Sequence, residues 1–410
     1  MNESAAATRL TRRRLIGAAG ISGLALAARP AWAGDVTDLA LPGGPGTRPL
    51  TQAFPQKGTM VLQRTRPPLL ETPWNVFDEG VFTPNDRFYV RWHWAVIPTS
   101  IDVGSFRLNV HGHVAQPLSL SLNDILALPR VELAAVNQCS GNSRGYFLPR
   151  VPGGEWGNGA MGNAVWTGVR LRDLLDRAGV KAGAIEVRFR GLDEPVVADA
   201  PPFMKSLALD HARDGEVMLA FAMNNAPLPL LNGFPLRLVV PGWYATYWVK
   251  MVADIEVLAE PDRNFWTATA YKIPDTPHAD MKPGEAGVAQ IPINRMVPRS
   301  FITNLATGAE IPAGRAMLLR GIAFGGDCGV AAVEVSSDGG NSWKNAELGA
   351  DQGKYGFRQW QARFTPAQRG KYALMVRCRN DKGEIQPAAA NWNPSGFMRN
   401  VVETLEITAV

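Results

Sequence analysis

Apolar and polar positions divide the chain into regions of different texture. Between residues 81 and about 265 the runs are short and mixed in period. Strand-like runs at 88–94, 105–110, 185–189 and 236–240 alternate with helical spacing at 121–128 and 171–177, and Gly179 is placed to stop the second helix. Strands and helices mixed in this irregular way predict an α+β domain, not a regularly wound βαβ one. Beyond a Pro-rich connector the alternation becomes strict. Val333 and Val335 face one way, Glu334 and Ser336 the other, then Asp338, Gly339 and Gly340 supply a turn and Trp343 a buried aromatic. Runs at 357–364, 371–377 and 402–410 continue as strands, and a β-sandwich of roughly 110 residues fits their spacing. Residues 34–80, rich in Pro and Gly, predict an extended lead-in.

The first 33 residues follow a different logic. Arg12, Arg13 and Arg14 precede an apolar stretch, 15–28, that is too short for a comfortable membrane span and is diluted by Gly17, Gly20 and Gly23. Ala31 and Ala33 form a small-x-small cleavage site. The segment resembles a twin-arginine leader, which implies export of a folded protein to the periplasm; an ordinary Sec signal is the alternative. Five of the 42 basic residues and one of the 37 acidic residues lie in it, so the remaining chain carries a formal charge of only +1. No nucleic-acid partner is expected from so balanced a charge. The 377 residues left are enough for two domains. Three cysteines cannot supply a disulfide framework, although export would permit Cys328 and Cys378 to pair.

The candidate chemistry centres on Cys139, in the run Asn137–Gly145. Positive charge lowers a thiol pKa, and a thiolate binds soft metals; on its own, Cys139 reads more readily as a small buried hydrophobe, and it is the rest of the chain that reverses this. Arg91 and His93 are one residue apart and would share a strand face. With Arg144, Arg237 and Lys250 they would make a cationic pocket suited to an oxyanion and a phosphate-bearing cofactor, if they converge. Scattered surface ion pairs are the alternative. His111 and His113 have no third ligand at a zinc-like spacing and read as strand or loop histidines. Trp243, Tyr244, Tyr247 and Trp248 read as core and pocket lining.

These residues resemble the molybdenum-dependent sulfite oxidases and sulfite dehydrogenases over nearly the whole chain after the leader. The likeness runs through Arg91-x-His93, Cys139-x-Gly141-Asn142-x-Arg144, Trp166-x-Gly168-Val169-x-Leu171 and Gly191-Leu192-Asp193. It continues through Gly233-Phe234-Pro235-x-Arg237, Val240-Pro241-Gly242 followed by Val249-Lys250, then Tyr271-Lys272 and the Val333 to Trp343 hairpin. The resemblance implies a molybdopterin-binding catalytic domain over 81–272, a connector over 273–295 and an immunoglobulin-like dimerisation domain over 296–410. It also implies a homodimer, no membrane span and no heme in this chain.

By position, Cys139 resembles the thiolate ligand of molybdenum. Arg91, Arg144, Trp156 and Tyr271 resemble the catalytic substrate pocket. Tyr89, Val90, Arg91, His93, Asp193, Asn232, Arg237, Trp248, Val249 and Lys250 resemble the cofactor-binding set. Asn232 stands where vertebrate members have histidine. Cys328 falls near the place of a further vertebrate substrate arginine, which would leave the pocket less positive. The implied reaction is periplasmic oxidation of sulfite to sulfate, with electrons passed to a separate c-type cytochrome or blue-copper protein. A sulfane dehydrogenase of a thiosulfate-oxidising complex, or an S- or N-oxide reductase on the same cofactor, is the alternative. A cofactor-free binding protein is the non-enzymatic reading, against which Cys139, Arg91, Arg144 and Tyr271 stand together.

Overall fold

The computed structural model describes residues 35–410. The leader expected over residues 1–33 lies outside the described residues. Among the described residues no helix is long and apolar enough to cross a membrane.

The lead-in is extended, but it is paired. Strands Val36–Asp38, Thr47–Thr51, Met60–Arg64, Leu69–Glu71 and Val90–Arg91 form a five-stranded antiparallel sheet in chain order. Its last strand delivers Arg91 to the interior. The expected strand 88–94 is therefore reduced to two residues. The apolar run reports burial, not pairing: Phe88, Tyr89, Val90 and Trp92 are all buried, and the Trp92 indole donates to the Leu231 carbonyl at 3.0 Å.

Two further sheets build the middle of the chain. One orders Met204–Ala208, Glu186–Arg190, Asp254–Leu258, Leu108–Gly112 and Leu118–Leu120, with a parallel pair between Asp254–Leu258 and Leu108–Gly112. The other orders Ala226–Pro227, Met218–Met223, Met161–Arg170 and Arg130–Gln138, with Arg237–Val239 joined to Met218–Met223. Helix Leu171–Ala178 buries Leu171, Leu174, Leu175 and Ala178, the i, i+3, i+4, i+7 face, and Gly179 ends it in a left-handed turn. Helix Leu122–Leu126 starts from a capping box between Ser121 and Asp124. Trp166, Phe189, Leu236 and Val257 belong to the core shared by these sheets.

The C-terminal region is the expected sandwich. Arg299–Ile302, Met317–Phe324, Arg358–Phe364 and Glu347–Leu348 form one sheet; Glu310–Ile311, Glu403–Ala409, Gly370–Asn380, Val330–Ser336 and Lys344–Asn345 form the other. Leu319, Val333, Trp360, Leu374 and Val376 fill the space between them. The hairpin after Val333 forms, but Trp343 is not its buried aromatic. It is half-buried under the Arg377 guanidinium, 4.1 Å from the ring centroid, and Trp360 takes the core position. The connector also pairs, Lys272–Pro274 with Gln290–Pro292. Cys328 and Cys378 are free thiols.

Candidate active site

Strand Arg130–Gln138 ends one residue before Cys139, whose N–H donates to the Ala160 carbonyl at 2.9 Å. The chain then turns sharply. Asn142 N–H donates to Cys139 O at 3.0 Å, Ser143 is left-handed (φ 68°), and a short 3-10 turn, Arg144–Tyr146, follows. A Cβ on Gly141 would come within 2.6 Å of the Arg144 guanidinium, so only glycine allows that side chain to fold back over the loop.

Two cavities share a wall at Cys139. The inner one, about 460 Å³ of empty space, is lined by Tyr89, Val90, Arg91, His93, Cys139, Ser140, Phe203, Leu231, Asn232, Arg237, Ala245, Thr246, Trp248, Lys250 and Tyr271. The outer one, about 700 Å³, has Arg91, His93, Cys139 and Tyr271 in common with it and adds Arg144, Trp156 and Phe397 among others. Each cationic side chain predicted from the sequence lines one or both of these cavities. Asp193 and Val249 do not line either. Val249 is buried between two lining residues, and Asp193 sits behind Lys250, whose charge opposes the effect of burial on its carboxyl. Burial still pushes Asp193 up to about 6.

The inner cavity concentrates positive charge with little counter-charge. Arg237 and Lys250 are brought together by an isolated antiparallel backbone bridge between the two residues. Gly233, at φ 114°, makes room: a Cβ there would lie 3.2 Å from both side chains. The Arg237 guanidinium lies between the indoles of Trp166 and Trp248, at 5.3 and 5.8 Å, and donates to Asn232 O and Asn137 Oδ1. Burial, reinforced by Arg237, pushes Lys250 down to about 7.

Sequence reasoning missed two lysines. Lys57, from the first sheet's loop, donates to Asn85 O, Phe88 O and Asn232 Oδ1; Lys205 donates to Trp266 O with its ammonium 4.5 Å from the Tyr247 ring centroid. Burial pushes both down to about 7. Neither sits in a recognisable spacing. Asn232 lines the inner cavity as expected, yet its amide is used within the protein, accepting from Lys57 and donating to Tyr89 O.

Tyr271 stands at the boundary between the cavities, with φ 57°. Its hydroxyl lies 2.6 Å from His93 Nε2, and its ring stacks on Phe397, centroids 5.3 Å apart. Desolvation, then the charges of Arg91, Lys250 and Lys205, pushes the imidazole well below its usual range, while burial raises the tyrosine. Both groups are therefore neutral near pH 7 and share one proton-bearing contact. Arg144 donates from Nε and Nη2 to Ser395 O and lies 5.1 Å from the Phe397 ring centroid. The segment containing Ser395 and Phe397 was invisible as site material in the sequence. Cys328, by contrast, is absent from both linings. Its thiol contacts Gly325 O in the sandwich, so this position adds no cation to either cavity. His111 and His113 are also apart from this site, on Asp254 Oδ2 and Ala182 O respectively.

Several buried polar atoms at the inner cavity have no protein partner: Arg91 Nη1, Arg237 Nε, Ser140 Oγ and Thr246 Oγ1. Unpaired buried donors are costly, and these four surround one space beside a thiol. An anionic, acceptor-rich group with a soft metal fits that donor set.

The comparisons with known proteins agree with this fit. The family model described as an oxidoreductase molybdopterin binding domain matches residues 94–266, and the Mo-co oxidoreductase dimerisation domain matches 290–409. Mouse mitochondrial sulfite oxidase is 34% identical over 370 residues, covering 85% of this chain; the chain spans 65% of that protein, less than two thirds of its length. Sulfite oxidase of Arabidopsis thaliana is 30% identical, with 77% of this chain and 82% of that protein covered. The crystal structure of the sulfane dehydrogenase SoxCD from Paracoccus pantotrophus superposes with a TM-score of 0.71 at 25% identity, covering 83% of this chain and 84% of that one. With a molybdopterin-binding domain followed by a dimerisation domain, and a likeness that covers 82% of the plant enzyme, the chain belongs to the sulfite oxidase family of molybdopterin oxidoreductases.

Proposed function

We propose that this protein oxidises sulfite to sulfate and passes the electrons to a separate one-electron carrier, a c-type cytochrome being the first choice. The observation that carries this reading is the pair of cavities meeting at Cys139, the inner one cationic with four unpaired polar atoms, the outer one lined by Arg64, Arg91 and Arg144. In the inner cavity Arg237, Lys250 and Arg91 would hold the anionic pterin, and Cys139 would supply the thiolate to molybdenum. When bound, this cofactor supplies the two-electron couple and the oxygen atom that sulfur acquires.

The chain's own residues then have distinct tasks. Arg91 and Arg144 offset the charge of a sulfite dianion entering the outer cavity. Trp156, fully buried, forms a rigid wall that excludes water from one side. Tyr271, held by His93, offers a neutral hydroxyl to an oxyanion oxygen and keeps its proton there. Export to the periplasm and a homodimer through the sandwich complete the proposal; the paired arginines of the leader and the matched dimerisation domain support them.

Oxidation of carrier-bound sulfane is the second reading, favoured by the likeness to the sulfane dehydrogenase. Purified, molybdenum-loaded protein with sulfite should reduce cytochrome c faster than with a persulfide-bearing peptide. The reverse order would replace the first reading with the second. Arg144→Gln should raise KM for sulfite by about 10- to 100-fold, the loss expected for a charge-assisted contact, with a smaller change in kcat. An unchanged KM would remove Arg144 from the substrate pocket.

A further inference from the structure

The loop carrying Cys139 and Arg144 is gripped from the C-terminal sandwich. Ser143 occupies left-handed backbone space that a non-glycine residue enters only at some cost. Three contacts hold it there. Its N–H donates to Gly157 O at 2.7 Å, its hydroxyl donates to Asn158 Oδ1 at 2.5 Å, and the same hydroxyl accepts from Arg299 Nη1 at 3.0 Å. Arg299 begins the sandwich strand Arg299–Ile302 and is fully buried. Its Nη2 donates to Glu403 Oε1 at 2.7 Å, and Glu403 also receives Arg399 at 3.0 Å. Its Nε has no partner.

A buried ion pair of this kind is a poor device for stability. Well-packed apolar residues of similar volume often do as well or better. What the guanidinium adds is direction: it ties one hydroxyl of the active-site loop to one strand of another domain. The next residue is held from the same side, since Arg144 donates twice to Ser395 O.

We infer that Arg299 is a positioning residue, which fixes Ser143 in its left-handed turn and so sets the angle at which Arg144 enters the outer cavity. Anion affinity at that cavity then depends on how the sandwich is seated. The inference rests on the reading of the outer cavity as an oxyanion site.

The test uses molybdenum-loaded protein and two probes, sulfate binding by calorimetry and sulfite kinetics. Arg299→Met should weaken sulfate binding and raise KM by about 10-fold, with kcat changed less than about twofold and metal content unchanged; Arg299→Lys should recover part of the loss. Ser143→Gly keeps the left-handed backbone and the Arg299–Glu403 pair while removing the hydroxyl, so it carries the test should Arg299→Met fail to fold. It should shift KM in the same direction. In an Arg144→Gln background, Arg299→Met should add less than about twofold, because both act on one side chain. Wild-type affinity in Ser143→Gly, or effects that multiply in the double variant, would overturn the inference. A crystal structure of Ser143→Gly separates the two claims. Arg144 still bonded to Ser395 O refutes the positioning role whatever the cavity binds. Arg144 displaced, in a protein that never bound sulfate, refutes only the oxyanion reading.

Discussion

On the proposed function, Cys139→Ser should eliminate sulfite-dependent cytochrome reduction while leaving a folded protein that still contains pterin. The argument has two halves. Removing an outer partner of a metal ligand already costs about 10- to 100-fold in affinity or activity, so removing the ligand itself should cost more than about 100-fold. A serine hydroxyl is a harder donor and does not ionise near neutral pH, so it cannot replace a thiolate on a soft site. The fold should tolerate the change because the loop is held by backbone groups: Cys139 N–H to Ala160 O and Asn142 N–H to Cys139 O survive the substitution. Cys139 is only half-buried, and the inner cations at Arg237 and Lys250 are untouched. The measurements are cytochrome c reduction, molybdenum and pterin content, and a thermal unfolding curve. Full turnover by the variant would refute the ligand assignment. Loss of the unfolding transition would show that the thiol is structural.

The legible parts of this protein are those where function and local pattern coincide. Helix Leu171–Ala178 was readable because its buried face has helical spacing and Gly179 stops it. Cys139, Arg144, Arg237 and Lys250 were readable because each sits inside a short motif whose backbone turn the chemistry requires. Arg91 and His93 reach the same cavities although the strand between them is largely absent, so the alternation reported the direction of side chains and not the pairing. Lys57, Lys205, Phe397 and Arg299 were not readable. Each arrives from an element remote in sequence, with no neighbour whose spacing announces it, and its role exists only once the chain has folded. The first sheet was missed for a compositional reason. Its strands tolerate Pro49 at a register position opposite Val36, and short strands bounded by Pro and Gly look like loop when pairing partners are unknown.

Without its cofactor the protein should become more stable as pH rises from 7 to 8.5, against the usual expectation of a flat optimum there. Lys57, Lys205 and Lys250 are each pushed from 10.5 to about 7, burial being the largest cause in every case. Between those values the unfolded chain binds protons that the folded chain has released, so the unfolding free energy increases with pH. Each lysine that is neutral when folded and charged when unfolded contributes about 1.4 kcal/mol per pH unit. Below pH 7 the folded lysines are charged and the full penalty remains. Asp193 acts with opposite sign, but its contribution accumulates between 3.8 and about 6 and is constant above. The buried Cys378 thiol, raised by desolvation, starts to oppose the trend only near pH 9, which sets the upper limit of the window. Thermal unfolding of cofactor-free protein at pH 6.5, 7.5 and 8.5 should therefore give a rising midpoint. Lys250→Met should lower that slope by about a third, since Lys57 and Lys205 still titrate, and, at pH 7, make the cofactor-free protein more stable than the wild type while lowering its pterin content. An anionic ligand in the inner cavity stabilises the charged form of Lys250, the one of the three that lines it, so the loaded protein should show a shallower rise. A midpoint that falls over this range would mean the lysines already have counter-charges, and the cavity would then have no electrostatic need for an anionic cofactor.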